Sequence, residues 1–146
     1  MRELTLEPVP VSNELKAALT CAGLLTDDLE GTDRTYFALV DVDSGVVGYS
    51  GIETCDEDSV LLRSVVVIPE FQAQGYGRRL VDLTIARAPV AADVYLATTS
   101  AARFFESFGF TPVDRDKAPK AILSTRQLSG LCPASATIMK LNRPPT

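Results

Sequence analysis

A pair of glycines stands directly before an amphipathic segment in the middle of the chain. Gly75 and Gly77 follow an apolar run at positions 65–68, and apolar residues recur with helical spacing from Leu80 onward. This pattern predicts a buried strand, a short polar loop and a helix whose first turn carries little side-chain bulk. Glycines let a ligand approach the backbone closely, and the free N–H groups of a helix N-terminus favour an anion. We therefore predict a phosphate-binding loop.

The charges beside the loop agree with this hypothesis. Arg78 and Arg79 stand at the start of the predicted helix, where cations are normally unfavourable, and a bound phosphate would explain them. Two other phosphate motifs fit worse, because a P-loop needs Lys after its last glycine and a dinucleotide fingerprint needs glycine in place of Leu80. The structural alternative is a strand, a turn and a helix that happens to begin with two glycines.

Two motifs resemble the GNAT superfamily of acetyl-CoA-dependent N-acetyltransferases. Gln72 followed by Gly75-x-Gly77, after a Val-rich strand and Pro69, resembles its pyrophosphate loop. Residues 101–110, Ala-x-x-Phe-Phe-x-x-Phe-Gly-Phe, resemble the helix that follows the fifth strand in that superfamily. The alternative for the second motif is an aromatic stripe in the core, and its phenylalanines are expected to be buried in part. The resemblance spans residues 36–110, and the order of elements agrees over the whole chain.

The predicted fold class is α/β. The resemblance implies a GNAT-like α/β sandwich, a mixed central sheet of six to seven strands with helices on both faces, in a single domain over residues 1–146. Ser12 is a good helix N-cap, and Asp43-Ser44-Gly45 predicts a hairpin turn. The expected strands are 4–9, 35–42, 46–53, 60–68, 94–98, 111–114 and 134–141. Helices are expected after Ser12, after the glycines, at 100–108 and in part of 118–131, with a short helical turn at 26–29.

The resemblance implies that acetyl-CoA binds largely to backbone groups. The strand at 65–67 would pair with the pantetheine arm, and the N–H of Val66 or Val67 would meet the thioester oxygen. Their side chains can pack in the core at the same time. Thr98 stands where the family has an asparagine on the pantetheine arm. The implied acetyl-CoA-binding residues are Val65, Val66, Val67, Gln72, Ala73, Gln74, Gly75, Tyr76, Gly77, Arg78, Thr98, Ala101, Phe104 and Phe105.

Glu53 and Ser64 are the candidate catalytic residues. Glu53 ends the predicted third strand, where a partly buried carboxylate could take a proton from the acceptor, while a solvated edge carboxylate is the alternative. Arg63 and Ser64 are expected on opposite faces of the next strand. Arg63 would suit a carboxylate or oxyanion on the acceptor, or would face solvent. Phe105 replaces a tyrosine that protonates the leaving thiolate in many family members, so the competing function is a non-catalytic acetyl-CoA sensor or regulatory module.

The segment at 118–136 is expected to form one wall of the acceptor site. Its short polar side chains suit the orientation of a small substrate, and the alternative is a packed crossover to the last strand. The candidate acceptor-binding residues are Arg63, Thr125, Gln127 and Cys132.

Three further segments, 61–65, 97–99 and 115–139, resemble the GNAT subgroup encoded in arsenic-resistance operons. The implied acceptor is the amine of a small molecule, amino-acid-like or arsenic-containing, although the subgroup does not establish a substrate. Direct arsenite binding by Cys21, Cys55 and Cys132 is a third class of function, which their irregular spacing does not favour. Arsenite affinity that survives in a triple Cys→Ser variant would dispose of it.

Composition excludes several classes of protein. The net charge of −5 argues against broad nucleic-acid binding. The absence of histidine excludes a His base, and with irregularly spaced cysteines it excludes structural zinc, so no metal is expected. No apolar stretch is long enough to span a membrane, and Arg2, Glu3 and Glu7 do not resemble a signal peptide. A cytoplasmic protein without a membrane partner is therefore expected, and a homodimer stays open.

Overall fold

The structure is a computed structural model, and it describes residues 3–24, 26, 29–31, 33–99, 101–125 and 136–141. Single 3-10 turns lie at Pro69–Phe71 and Arg115–Lys117. In chain order the strands and α-helices of the described residues are β1 (Leu4–Val9), α1 (Asn13–Cys21), β2 (Arg34–Asp41), β3 (Gly45–Thr54), β4 (Ser59–Val67), α2 (Tyr76–Ile85), β5 (Asp93–Thr98), α3 (Ala102–Glu106), β6 (Phe110–Val113), α4 (Lys120–Leu123) and β7 (Thr137–Leu141).

The strands form one mixed sheet of seven, in the order β1-β2-β3-β4-β5-β7-β6. This confirms the predicted α/β class and the mixed sheet. By its internal contacts the chain divides into two compact units, residues 1–53 with 62–90 (unit 1) and residues 54–61 with 91–146 (unit 2). The single domain therefore stays an expectation. No helix within the described residues is both long and apolar enough to cross a membrane.

Unit 1 packs one helix on each face of its strands. Tyr49 and Ser50 are neighbours in β3, so their side chains point to opposite faces. Ser50 lies against α2, where its hydroxyl oxygen is 2.6 Å from that of Thr84. Helices on both faces were predicted for the whole sheet, and these strands have that arrangement. Tyr49 lies on the other face, in a core cluster that comprises Leu15, Leu19, Leu29, Tyr36, Ala38, Tyr49 and Val66.

The hairpin of β2 and β3 contains a bulge that sets which residues face each other. The predicted turn is confirmed, and its last residue, Gly45, has a φ of +80°. Leu39 pairs with Gly48 but Val40 pairs with Val46, so Val47 is one extra residue in β3. Beyond this bulge the register places Arg34 directly opposite Glu53.

Unit 2 contains the first part of β4 together with β5, β7 and β6. β4 and β5 pair in parallel from Ser59 to Leu61, whereas β7 is antiparallel to both β5 and β6. Because Ile122 of α4 is fully buried, that helix packs on these strands. The core cluster of unit 2 comprises Leu61, Tyr95, Ala118, Ile122 and Ile138.

Local sequence patterns predicted most ends of the helices and strands to within a few residues. The hydroxyl of Ser12 accepts a hydrogen bond from the Leu15 N–H at 3.2 Å, which confirms the predicted cap. The helix expected at 100–108 is shorter, Ala102–Glu106, and the chain leaves it through Gly109 with a φ of +98°. Of the helical turn expected at 26–29, residues 27 and 28 lie outside the described ones, and Thr26 and Leu29 are not helical. The helical part expected at 126–131 lies outside the described residues.

Candidate active site

The loop that joins β4 to α2 exposes the N-terminus of that helix. Two of its residues are left-handed, Ala73 with a φ of +63° and Gly75 with a φ of +86°. Gly75 is the N-cap of the ten-residue helix α2, and no side chain caps the helix there. The first N–H groups of a helix have no intrahelical partner, so an uncapped end can offer them to an anion. A Cβ on Gly75 would meet no atom within 4 Å, which means that the space beside the loop is open.

Two glutamines brace this loop, one of them against the end of β4. The side-chain amide of Gln72 donates to the carbonyl oxygen of Val67 at 3.1 Å, and that of Gln74 donates to the carbonyl oxygen of Glu70 at 3.4 Å. Both glutamines are exposed, and so is Arg78 in the first turn of α2. The geometry therefore gives Gln72 a bracing role that does not require a ligand, and its role toward acetyl-CoA stays a prediction.

Tyr76 anchors the first turn of α2 to the end of β2. Its hydroxyl donates to Oδ2 of the buried Asp41 at 2.7 Å, and the Phe71 ring meets its ring edge-on with centroids 6.1 Å apart. Because Tyr76 is buried, its ring serves to anchor the helix and is not offered to a ligand. Asp41 was not recognised as part of this region, because nothing local in the sequence marks a contact between positions 35 residues apart.

The backbone of β4 is irregular at Ser64. Its φ of +58° is a left-handed conformation, which costs a non-glycine residue roughly 1–2 kcal/mol. Arg63 lies 6.0 Å from the ring of Tyr36, and Val66 packs in the same core cluster as that ring. A regular strand would place positions 63 and 66 on opposite faces. The left-handed residue between them thus shifts the alternation by one position.

Glu53 and Arg63 form a buried ion pair in unit 1. Nη1 of Arg63 donates to Oε1 of Glu53 at 2.7 Å, and each residue is only 3% exposed. Nε of Arg34 lies 3.4 Å from the same Oε1, close enough for charge attraction, although this buried nitrogen makes no hydrogen bond. Both a solvated Glu53 and a solvent-facing Arg63 are therefore wrong. Buried charges require partners, and these residues supply them to one another.

The prediction that Arg63 and Ser64 face opposite sides of the strand is also wrong. Nε of Arg63 lies 3.4 Å from Oγ of Ser64, and both residues are buried. The cause is the left-handed backbone at Ser64, because side chains alternate only where the strand is regular. Glu53, Arg63 and Ser64 are thus brought together in unit 1, together with the strand at 65–67.

Arg34 and Tyr36 belong to this cluster and were missed from the sequence. Two glycines leave room for them, since a Cβ on Gly51 would lie 2.8 Å from the Tyr36 ring and one on Gly31 would overlap Nη1 of Arg34. Counting pairs back from the hairpin turn could have indicated a neighbour for Arg34. Without the bulge, however, the count gives Ile52 and not Glu53.

The remaining candidates for acetyl-CoA binding lie in unit 2. Oγ1 of Thr98 accepts a hydrogen bond from the N–H of Ala101 at 2.9 Å, just before α3 begins. Phe105 is buried against Phe110, with ring centroids 5.8 Å apart. Phe104 is 40% exposed while its ring contacts that of Phe105, so the phenylalanines of this motif are buried in part, as expected.

Among the candidates for acceptor binding in the segment at 118–136, the structure describes Thr125. Thr125 is buried, and its hydroxyl donates to the carbonyl oxygen of Ile122 at 2.8 Å, as in a packed turn after α4. Gln127 and Cys132 lie outside the described residues. The segment as a wall of the acceptor site therefore stays a prediction.

Acidic and thiol side chains are scattered in the described part of the chain. No three of its Cys, Asp and Glu residues are arranged to hold a metal ion. Cys21 is exposed, and Cys55 is half-buried beside the core of unit 2. Burial raises the pKa of the Tyr49 phenol above its usual value, and the carboxylate of Glu14 adds to the shift. Tyr49 is therefore a neutral phenol at physiological pH.

Comparisons with known proteins agree with this geometry. A family model described as "Acetyltransferase (GNAT) domain" matches residues 33–112, more than half of the chain. A search of curated protein sequences gave no match. The solved structure of N-acetylglutamate synthase from Neisseria gonorrhoeae, complexed with coenzyme A and L-arginine, is similar with a TM-score of 0.73 at 20% identity. The similarity covers 96% of this chain but only 34% of the synthase chain, so this chain spans about a third of that protein's length.

Two shorter proteins are similar over nearly their whole length. A GNAT-family acetyltransferase from Staphylococcus aureus Mu50 has a TM-score of 0.68 at 15% identity, covering 96% of this chain and 99% of its own. The ribosomal-protein-S18-alanine N-acetyltransferase from Escherichia coli has a TM-score of 0.64 at 19% identity, covering 95% of this chain and 93% of its own. At such identities the likeness shows the fold alone.

The mixed sheet, the loop and the uncapped helix define a class, the acyltransferases with an α/β sandwich fold. The chain belongs to the GNAT acetyltransferase family, because the family model matches more than half of it. This membership supports acyl transfer from an acyl-CoA.

Proposed function

We propose that the chain binds acetyl-CoA and transfers its acetyl group to the amine of a small molecule. The uncapped N-terminus of α2, behind the left-handed Gly75, is the observation that carries this proposal. A pyrophosphate suits this loop because the loop offers backbone N–H groups, open space and the exposed Arg78 together. The coenzyme A in the similar synthase from Neisseria gonorrhoeae supports the same ligand.

The proposed reaction is attack of a neutral amine nitrogen on the carbonyl carbon of the thioester. A C–N bond forms, the C–S bond breaks, and sulfur leaves as the thiolate, while the acceptor loses a proton. The backbone N–H of Val66 or Val67 would donate to the oxygen that becomes negative during attack. The chain's own contribution is thus mainly alignment and stabilisation of charge.

Glu53 is poorly suited to take the proton. Its carboxylate already accepts a charge-assisted hydrogen bond from Arg63 at 2.7 Å. Taking a proton would leave Arg63 charged and buried beside a neutral partner, which is unfavourable. In the proposed reaction water takes this proton, which the attacking nitrogen loses after the C–N bond has formed.

The class of acceptor and the place where the protein acts belong to the same proposal. We take the acceptor to be amino-acid-like or arsenic-containing, as the resemblance to the arsenic-resistance subgroup implies, and the protein to act in the cytoplasm, as a monomer or homodimer. The net charge of −5 supports a small or cationic acceptor and opposes nucleic acid. A panel of such amines, assayed for thiol release from acetyl-CoA, tests this. Release above the rate with water, for at least one amine, is the expected result.

A sensor that binds acetyl-CoA without turnover is the second candidate. It is favoured by Phe105, which is buried among aromatic rings and has no proton to give to a leaving thiolate. Calorimetric binding of acetyl-CoA, with no thiol release from any amine in the panel, would favour the sensor over the enzyme.

If the segment at 118–136 contacts the acceptor, Thr125→Val is expected to raise the KM for the acceptor roughly fivefold. This is the equivalent of about 1 kcal/mol, the contribution of one lost hydrogen bond. Gln127→Leu should act in the same direction, and neither should change the affinity for acetyl-CoA. Thr5→Val, an equivalent change in the exposed part of β1, is the control. Wild-type kinetics for both variants would instead make the segment a packed crossover, as the bond from Thr125 to Ile122 allows.

A further inference from the structure

Glu53, Arg63 and Ser64 form one connected group on β3 and β4. A single guanidinium joins them, because Arg63 reaches Glu53 through Nη1 at 2.7 Å and Ser64 through Nε at 3.4 Å. The Arg63 side chain is fully buried and lies over the ring of Tyr36 at 6.0 Å. A guanidinium held on three sides has little freedom, so it can hold its neighbours in turn.

The group lies at the irregular point of β4, directly before the strand at 65–67. Ser64 keeps a φ of +58°, which a serine adopts only where the surroundings impose it. This residue decides that the Val66 side chain enters the core cluster of unit 1. It therefore also decides the direction in which the N–H groups of positions 65–67 point.

We propose that Glu53 and Arg63 are positioning residues, which hold the left-handed backbone at Ser64 and so aim the N–H groups of Val65 to Val67 at the thioester. This assigns Glu53 to the geometry of the strand and not to proton transfer. The proposal rests on the proposed function, because it takes acetyl-CoA to be the ligand of that strand. Its backbone part, however, is a statement about Ser64 that holds without any ligand.

Glu53→Gln separates positioning from proton transfer. The glutamine oxygen can still accept the hydrogen bond from Arg63, but an amide cannot serve as a base. A positioning role predicts that kcat falls less than about tenfold and keeps its pH profile, whereas loss of a general base costs about 10²–10⁴-fold. Glu53→Ala removes the acceptor altogether, so the positioning role predicts a larger effect for Ala than for Gln.

The experiment compares Glu53→Gln, Glu53→Ala and the control Asp33→Asn. Asp33 also pairs with a guanidinium, that of Arg34 at 3.1 Å, but its side chain is 47% exposed. The readouts are the backbone carbon chemical shifts of Ser64 to Val67 by NMR, the affinity for acetyl-CoA by calorimetry, and kcat across pH. We expect Glu53→Ala to shift the Ser64 signals and to lower the affinity for acetyl-CoA roughly tenfold. Asp33→Asn should remain close to wild type in both, and Glu53→Gln, which keeps the acceptor oxygen but not the charge, should change less than Glu53→Ala.

Two results would overturn the proposal. One is a folded Glu53→Ala variant with unchanged Ser64 signals. The other is a Glu53→Gln variant that binds acetyl-CoA normally but whose kcat falls by about 10²-fold or more, which is the effect of losing a general base. Failure of the wild-type protein to bind acetyl-CoA would overturn the proposed function instead. The Ser64 signals of the Ala and Gln variants would then decide the positioning role alone.

Discussion

Gly75→Glu is expected to abolish detectable binding of coenzyme A, a loss of at least about 100-fold in affinity, because the new carboxylate would occupy the space that the pyrophosphate needs. Nothing lies within 4 Å of a Cβ at this position, so the side chain starts into open space. It would place a negative charge at the N-terminus of α2, where a phosphate would otherwise bind. Isothermal titration calorimetry with coenzyme A measures the effect.

The control for this variant is Gly23→Glu. Gly23 has a φ of +76°, close to the +86° of Gly75, and a Cβ there would also meet no atom within 4 Å. Both changes therefore impose the same backbone strain, roughly 1–2 kcal/mol, and add the same charge. Only the Gly75 variant should lose coenzyme A. Equal affinity in two folded variants would refute the assignment of this loop to the pyrophosphate.

Glu53→Ala is expected to lower the free energy of unfolding by about 3–5 kcal/mol, because it removes the carboxylate that the buried guanidinium of Arg63 contacts at 2.7 Å. The Arg63 side chain has no exposed surface, so solvent cannot replace the lost carboxylate without local opening. Urea unfolding followed by circular dichroism measures the change. An effect below about 1 kcal/mol, the size found for surface ion pairs, would contradict the buried pair.

The matched control for the buried pair is the double variant Glu53→Leu with Arg63→Met. Replacing both charges by apolar side chains of similar volume removes the desolvation cost along with the attraction, and such changes are often neutral or stabilising. The double variant should thus be more stable than Glu53→Ala. If it also lost acetyl-CoA affinity while remaining stable, stability and positioning would be separated, since only the second depends on a guanidinium beside Ser64.

The loop proposed to bind phosphate and the ion-pair cluster both belong to unit 1, and β4 connects them. The side chain of Gln72 braces the end of β4 at the carbonyl oxygen of Val67. In the middle of the strand, the guanidinium of Arg63 contacts the hydroxyl of Ser64. The strand between these two points is the one proposed to meet the thioester. Restraint at both ends favours preorganised N–H groups, which is what stabilisation of a developing oxyanion requires.

The sequence by itself determined the features that depend on neighbouring residues. The α/β class, the hairpin turn before Gly45, the cap at Ser12 and the helix that begins behind Gly75 were all predicted, because each is a local pattern of polarity or a local steric requirement. The family also followed from short motifs around the loop. The acceptor-binding candidates beyond Thr125 stay predictions, because Gln127 and Cys132 lie outside the described residues.

Only the tertiary structure decided which side chains meet in the candidate site. Because Val47 is an extra residue in β3, Arg34 pairs with Glu53 and not with Ile52. The left-handed Ser64 in β4 brings Arg63 and Val66 to the same face of the sheet. Each irregularity reverses the two-residue alternation from which faces are predicted. Such irregularities are stabilised by contacts between residues distant in the chain, so no local pattern announces them, and the surroundings of Glu53 could be known only from the folded protein.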